Sequence, residues 1–74
     1  MEHIRILNSD ENMIRVVIEP WGNEYDVNRN EYLSVNLNEM PALIQMEFSE
    51  SRIINLFVDG SDIDLDLTQV HLQK

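Results

Sequence analysis

The sequence predicts an all-β fold, a small antiparallel β-sandwich or barrel of six to seven short strands, formed as one domain by residues 1–74. Apolar residues recur with a period of two, the side-chain period of a half-buried strand. Runs of β-branched residues alternate with clusters of polar turn residues about every eight to twelve residues. These three observations favour short strands that are mostly antiparallel to their neighbours in sequence.

The first two apolar runs, residues 3–7 and 13–19, predict two strands. Each run places its aliphatic side chains on one face: Ile4, Ile6, Ile14, Val16 and Ile18. Residues 8–12, NSDEN, separate the runs and are typical of a turn. We therefore expect the two strands to pair as a β-hairpin.

Two further strands are predicted in the middle of the chain, a short one in residues 24–27 and a longer one in residues 32–38. Polar residues 28–30 form a turn between them. In the longer strand the aliphatic side chains are expected to face inward: Leu33, Val35 and Leu37. The other face is an uncharged hydrogen-bonding row: Tyr32, Ser34, Asn36 and Asn38. This row is either a candidate binding surface or an ordinary polar outer face.

The second half of the chain alternates again. Strands are predicted in residues 42–48, 53–58 and 62–67, and Asp59 with Gly60 is a strong hairpin signal between the last two. The inward side chains are expected to be Ala42, Ile44, Met46, Phe48, Ile54, Leu56, Val58, Ile63, Leu65 and Leu67.

The second half of the chain also has a possible helical period and a change of apolar parity. Residues 40–57 also fit a helical period, although β-branched and aromatic enrichment with flanking turn residues favours strands. Val70 and Leu72 have the opposite parity to the preceding apolar residues. A period of two cannot slip without a bulge or a change of sheet, so we expect one near Thr68 or Gln69.

Composition and charge restrict the possible functions. The absence of cysteine excludes disulfides and cysteine-ligated zinc. No apolar segment approaches the roughly 20 residues of a membrane span, and the charged N-terminus does not resemble a signal peptide, so we expect a cytoplasmic protein. Fourteen acids and five bases give a net charge of −9, which argues against direct nucleic-acid binding and favours a basic protein partner. An acidic surface that only confers solubility is the alternative.

The sequence predicts no enzyme, no cofactor and no metal site. His3 and His71 lie near opposite ends of the chain, and no local context supports a serine–histidine–carboxylate triad. Two distant glycines do not form a phosphate-binding loop. The acidic run DGSDIDLD, residues 59–66, lacks the glycine and glutamate positions of an EF-hand loop. Alternate aspartates on a strand also lie about 7 Å apart, too far to enclose one ion.

The same acidic run predicts a negative stripe. Asp62, Asp64 and Asp66 would share one strand face, with Asp59 just before them. Neighbouring carboxylates in such a row repel one another. Lysines or arginines on a partner surface, such as the basic cleft of a nuclease, would stabilise the row. The alternative is a solvated or edge-strand face, where charges discourage aggregation.

The segment VVIEPWGNEYDV, residues 16–27, predicts a tight turn with the single tryptophan of the chain at its apex. Pro20 cannot donate to a strand ladder, so the strand should end at Glu19. Gly22 suits the fourth position of a β-turn that begins at Glu19. Trp21 is expected to cover one end of a thin core, and an anchor for a partner is the alternative.

The run IEPWGNEYDV, followed by NRNEYLSVNL, resembles a group of short bacterial proteins that have Glu-Pro-Trp-Gly after a strand. The resemblance covers residues 15 to about 37. Those proteins commonly have a Pro-Gly turn where this chain has residues 28–30, NRN. The resemblance implies a small β fold of bacterial origin and assigns no activity and no functional residues.

These observations predict a small acidic protein that neutralises a basic partner, most concretely an immunity protein that occludes the active-site cleft of a nuclease-type bacterial toxin. The expected partner contacts are Asp59, Asp62, Asp64, Asp66, Tyr32 and Trp21. One alternative is a homo-oligomeric structural or ligand-binding β module, because Ile53 and Phe57 form an apolar outer patch. A second alternative is a nucleic-acid mimic, which would spread its acids over two faces rather than concentrate them.

Overall fold

A computed structural model describes residues 2–41, 43–49, 51–60, 63–66 and 68–73, and these described residues form seven strands in two sheets. The fold is therefore all-β. The strands are β1 (Glu2–Asn8), β2 (Ile14–Glu19), β3 (Asn23–Val27), β4 (Glu31–Leu37), β5 (Leu43–Ser49), β6 (Ile53–Asp59) and β7 (Gln69–Leu72). Three residues with predicted positions lie outside the described residues: Ala42, Asp62 and Leu67.

One sheet has three strands in the order β1-β4-β7, and each pair is antiparallel. The other has four strands in the order β3-β2-β6-β5. Its central strands, β2 and β6, are parallel, with Val16 opposite Ile54, while β3 and β5 are antiparallel to their neighbours. The sequence pattern gives no indication of this parallel pair.

The hydrophobic core takes side chains from both sheets. Seven side chains are fully buried: Val16, Ile18, Val27, Leu33, Val35, Leu37 and Leu56. All of these except Val27 were expected to share the inward face from the period of two, so the predicted faces of β2, β4 and β6 are confirmed. Strand β5 differs, because its inward-facing side chains remain largely exposed.

The predicted hairpin of the first two strands is wrong. β1 pairs with β4 in the three-stranded sheet, whereas β2 lies in the other sheet. Both edges of β2 are already paired, with β3 on one side and β6 on the other, so β1 has no edge of β2 to join. The connection between β1 and β2 therefore passes from one sheet to the other.

The hairpin expected at Asp59 and Gly60 is also wrong, for the same reason. β6 is paired with β2 and with β5, so the chain after Asp59 crosses to the three-stranded sheet. The strand expected in residues 62–67 is reduced, among its described residues, to a single antiparallel bridge between Leu65 and Leu37. Ile63 and Leu65 nevertheless pack against the core, as their parity predicts.

Two consecutive strand pairs do form hairpins, β2 with β3 and β5 with β6. The second pair shows that β5 and the first residues of β6 occupy most of the described part of residues 40–57, so the helical alternative is wrong. Ser51 and Arg52 both adopt left-handed backbone conformations, with φ of 60° and 63°, in the turn that closes this hairpin.

The predicted bulge near Thr68 is confirmed by the strand register. Leu65 lies opposite Leu37, and Gln69 lies opposite Ser34. The register along β4 therefore shifts by one residue between Leu65 and Gln69. One extra residue restores the core-facing parity, so that Val70 packs against the core opposite Leu33.

Candidate functional site

Three chain connections meet at one end of the molecule. The parallel strands β2 and β6 end there at Glu19 and Asp59, and β5 begins there because Leu43 lies opposite Asp59. β4 ends at the same place, since its last residue Leu37 is joined to β5 by a short connection and bridges to Leu65. Residues 20–22, 38–41, 60 and 63–66 therefore surround this end.

This end is strongly negative. We call it the acidic end and define it by five described acids, most of them exposed: Glu19, Glu39, Asp59, Asp64 and Asp66. The described residues of its segments, 19–23, 37–41 with 43, and 59–60 with 63–66, contain no lysine or arginine. Asp62 belongs to the last of these segments but lies outside the described residues. Three of the four predicted aspartates are thus at one end of the fold.

Away from this end, by contrast, three acids are compensated by two arginines. Arg52 contacts Asp10 at 3.0 Å, and Arg15 contacts Asp26 at 2.9 Å and Glu24 at 3.8 Å. The backbone N–H of Asn12 and then the Arg52 guanidinium lower the pKa of the Asp10 carboxyl below its usual value. The hydrogen bond from Arg15 to Asp26 raises the pKa of the guanidinium. Uncompensated negative charge is therefore concentrated at the acidic end.

The backbone of β4 holds Asp64 and Asp66 in place. The N–H of Asn38 donates to the carbonyl of Asp64 at 3.2 Å, and the N–H of Asp66 donates to the carbonyl of Asn36 at 2.7 Å. The N–H of Asp64 also donates to the side-chain oxygen of Asn38 at 2.8 Å. Both carboxylates are exposed on a segment whose backbone is already ordered, which reduces the entropy lost when a partner binds.

Trp21 lies in the turn between β2 and β3, at the acidic end. β2 ends at Glu19 as predicted, and the Glu19–Pro20 peptide bond is cis. The turn closes through a hydrogen bond from the N–H of Gly22 to the carbonyl of Ile18 at 2.8 Å, one residue wider than the turn expected from Glu19. Gly22 has a φ of 78° with open space around its Cα, so glycine is required there for backbone conformation and not for room.

The indole of Trp21 packs against the core while part of it remains exposed. This arrangement agrees with the expected lid over one end of the core, and it also leaves aromatic surface available among the acids. Met40 adds apolar surface in the neighbouring connection, with 74% of its area exposed. The acidic end thus combines carboxylates with apolar contact area.

We expect Trp21→Ala to lower the free energy of unfolding by about 2 kcal/mol, less than for a fully buried tryptophan, because the core loses its cover at one end. Urea denaturation followed by circular dichroism measures the loss. Met40→Ala, at an exposed site of the same end, should change stability by less than about 0.5 kcal/mol. Equal losses in the two variants would contradict the lid.

Tyr32 lies away from the aspartates. It is near the start of β4, five residues or about 17 Å along the strand from Leu37, and on the outer face of the three-stranded sheet. Arg5 on β1 lies 4.2 Å from the centre of the Tyr32 ring, and His71 on β7 stacks on it at 5.2 Å. The structure therefore does not bring Tyr32 together with the other predicted contacts.

The same outer face contains a hydrogen bond that the sequence analysis missed. Nε2 of His3 lies 2.7 Å from Oγ of Ser34, although the two residues are 31 positions apart. The pairing of β1 with β4 creates this contact, so no local sequence signal could indicate it. Ser34 is only 8% exposed, which favours a structural hydrogen bond over a nucleophilic role for the hydroxyl.

Other binding features are limited. A shallow, open groove of about 500 Å³ is lined by Arg5, Tyr32, His71, Leu72 and Gln73. Among the described residues, no group of three or more histidine, aspartate or glutamate side chains is placed to hold a metal ion. In the same part of the chain, no helix has the length and apolar character needed to cross a membrane.

Comparison of the chain with family models, curated proteins and solved structures found no match. The candidate site is accordingly defined by its own geometry. It consists of the acidic end, with Asp59, Asp64 and Asp66 as its central carboxylates and with Trp21 and Met40 as its apolar contribution.

Proposed function

We propose that this chain is a small acidic binding protein that neutralises a basic protein partner through its acidic end. The observation that carries the proposal is the separation of charge along the molecule. The segments of the acidic end contain no base, while Arg15 and Arg52 compensate acids at the opposite end. A surface of one sign steers a partner of the opposite sign into a defined orientation.

The most concrete form of this proposal is an immunity protein, cytoplasmic and bacterial, that inhibits a nuclease-type toxin. The cleft of a nuclease is lined with basic groups that bind substrate phosphates. Asp64 and Asp66 are exposed on a backbone fixed by β4, so they would occupy phosphate positions without first being ordered. Trp21 and Met40 would supply apolar contacts beside the charged ones.

The distribution of acids supports an inhibitor over a nucleic-acid mimic. A mimic of a duplex presents negative charge along two faces, whereas these carboxylates gather at one end of the fold. The outer face of the three-stranded sheet presents Arg5, His3 and His71 instead. We also infer that the two sheets pack face to face as a small sandwich, since both contribute to one core.

A binding experiment with matched charge reversals tests the proposal. The probes are the basic proteins encoded beside this chain, purified and titrated with it by calorimetry at low and high salt. We expect Asp64→Lys and Asp66→Lys each to weaken binding by about tenfold or more, because each places a positive charge against a basic surface. Nuclease activity of the probe measures inhibition in parallel.

Glu11→Lys is the matched control, because it changes the net charge by the same amount at an exposed position of the opposite end. It should weaken binding much less than Asp64→Lys. If both variants weakened binding equally, the loss of affinity would follow from the change in net charge alone, which would contradict a localised site. Failure of every basic probe to bind at low salt would overturn the proposal itself.

A further inference from the structure

Strand β5 is an unprotected sheet edge. It is the outermost strand of the four-stranded sheet, and all seven of its residues are exposed. Natural edge strands are usually short, charged, bulged or interrupted by proline. The other edges are short or charged: β7 has four residues, β3 has acids paired with Arg15, and β1, with seven residues, has two charges, Glu2 and Arg5. β5 has seven residues and one charge, Glu47.

The core-facing side of β5 is also uncovered. Ile44, Met46 and Phe48 lie opposite the buried residues of β6, so they belong to the inner face of the sheet. They nevertheless have exposures of 37%, 45% and 74%, respectively. The three-stranded sheet does not extend over β5, so these inner apolar side chains are open to solvent. The outer patch expected at Ile53 and Phe57 is smaller, because Ile53 is half-buried.

From this geometry we propose that β5 is a homodimer interface, in which it pairs antiparallel with β5 of a second copy around a two-fold axis at Met46. This register pairs all seven residues of the strand. It also keeps inner faces together, with Met46 opposite Met46 and Ile44 opposite Phe48 of the second copy. The two four-stranded sheets then become one continuous sheet, and the inner apolar side chains of the two β5 strands contact each other across the new strand pair.

The position of the single charge of β5, Glu47, favours pairing with a second copy in the register centred on Met46. Glu47 would lie opposite Gln45 of the other chain, where a hydrogen bond replaces repulsion. A register centred on Glu47 would place like charges directly opposite each other, which is destabilising. A one-residue slip would match inner side chains with outer ones, so the faces exclude it.

Antiparallel pairing also separates the two acidic ends. β5 begins at the acidic end, since Leu43 lies opposite Asp59. In an antiparallel pair the two acidic ends point in opposite directions, and repulsion between two chains of net charge −9 is reduced. A parallel arrangement would place the acidic ends side by side. The proposal is independent of the proposed function, because only Leu43, the first residue of β5, lies at the acidic end and none of the acids of that end is in β5.

Sedimentation equilibrium of the full chain provides the first test. We expect a concentration-dependent mass of twice the chain mass of 8.7 kDa. Met46→Lys should shift the protein to the monomer mass, because two lysines would meet at the axis. Leu7→Lys is the matched control, since Leu7 has a similar exposure of 49% on the other sheet. It should leave the dimer unchanged.

Single cysteines provide the second test, which does not depend on disrupting the strand. The chain has no cysteine, so each introduced thiol is unique. Met46→Cys should form a covalent dimer on mild oxidation, because directly opposed Cα atoms lie about 4.5–5.5 Å apart, within disulfide range. Gln45→Cys should not, because its thiols would be offset by two residues. A monomeric wild-type chain at its solubility limit, or equal cross-linking of both variants, would overturn the proposal.

Discussion

Leu56→Ala is expected to lower the free energy of unfolding by about 2–5 kcal/mol, the usual cost of deleting a fully buried leucine side chain. Leu56 is fully buried on β6, the strand that joins β2 to β5, and it lies opposite Ile18 and Met46. A chain of 74 residues has a stability of about 4–11 kcal/mol. The substitution therefore removes a large share of the total and leaves a cavity that the thin core cannot fill.

Urea denaturation at a fixed protein concentration measures this loss, with Trp21 fluorescence and circular dichroism as two probes. A fixed concentration is needed because association would add to the apparent stability. Leu72→Ala makes the same chemical change at a residue that is mostly exposed, and it should cost less than about 0.5 kcal/mol. Similar losses for the two variants would show that the core is not where the structure places it.

Asn8→Asp is expected to destabilise the protein by about 3 kcal/mol, although the two side chains have the same shape. The Nδ2 group of Asn8 donates to the carbonyls of Asn12 and Val27, each at 2.9 Å, and its Oδ1 accepts from the N–H of Asp10 at 3.0 Å. Asn8 is 4% exposed. A carboxylate cannot donate, so it would face two carbonyl oxygens in a buried site.

The pH dependence of this variant tests the cause. Burial beside carbonyls raises the pKa of the introduced carboxyl, because the charged form is disfavoured. The variant should therefore recover stability relative to the wild type as pH falls, since the protonated acid can donate one hydrogen bond. Asn12→Asp is the control, because it makes the same change at an exposed residue of the same connection. A difference from wild type that does not vary with pH would contradict the hydrogen-bond explanation.

The period of two predicts which face a residue occupies, and it does so well in this chain. Leu33, Val35 and Leu37 were expected to face inward and are fully buried, and the bulge near Thr68 follows from the same parity. The alternation of apolar residues contains no information on which strands pair with each other in a sheet. The pairing of β1 with β4 and the parallel pairing of β2 with β6 were therefore missed, because any two alternating strands are compatible locally.

For the candidate site, too, the sequence indicated individual residues but not how the fold brings them together. Asp59, Asp64 and Asp66 were identified from charge, but their meeting with Glu19 and Glu39 depends on how the connections converge. The burial of Asn8 could not be anticipated, since an asparagine in a polar run usually indicates an exposed turn. Its hydrogen bonds reach Val27 on another strand, and only the fold brings the two together.

The parallel pairing of β2 with β6 sets the order of events during biosynthesis. Val16 and its partner Ile54 are separated by 38 positions, 54 minus 16, which gives the fold a high contact order. Before β6 leaves the ribosome, one edge of β2 has no partner and the core lacks Ile54, Leu56 and Val58. Folding therefore begins only when most of the chain has been synthesised, and incomplete chains expose apolar strands that chaperones must shield.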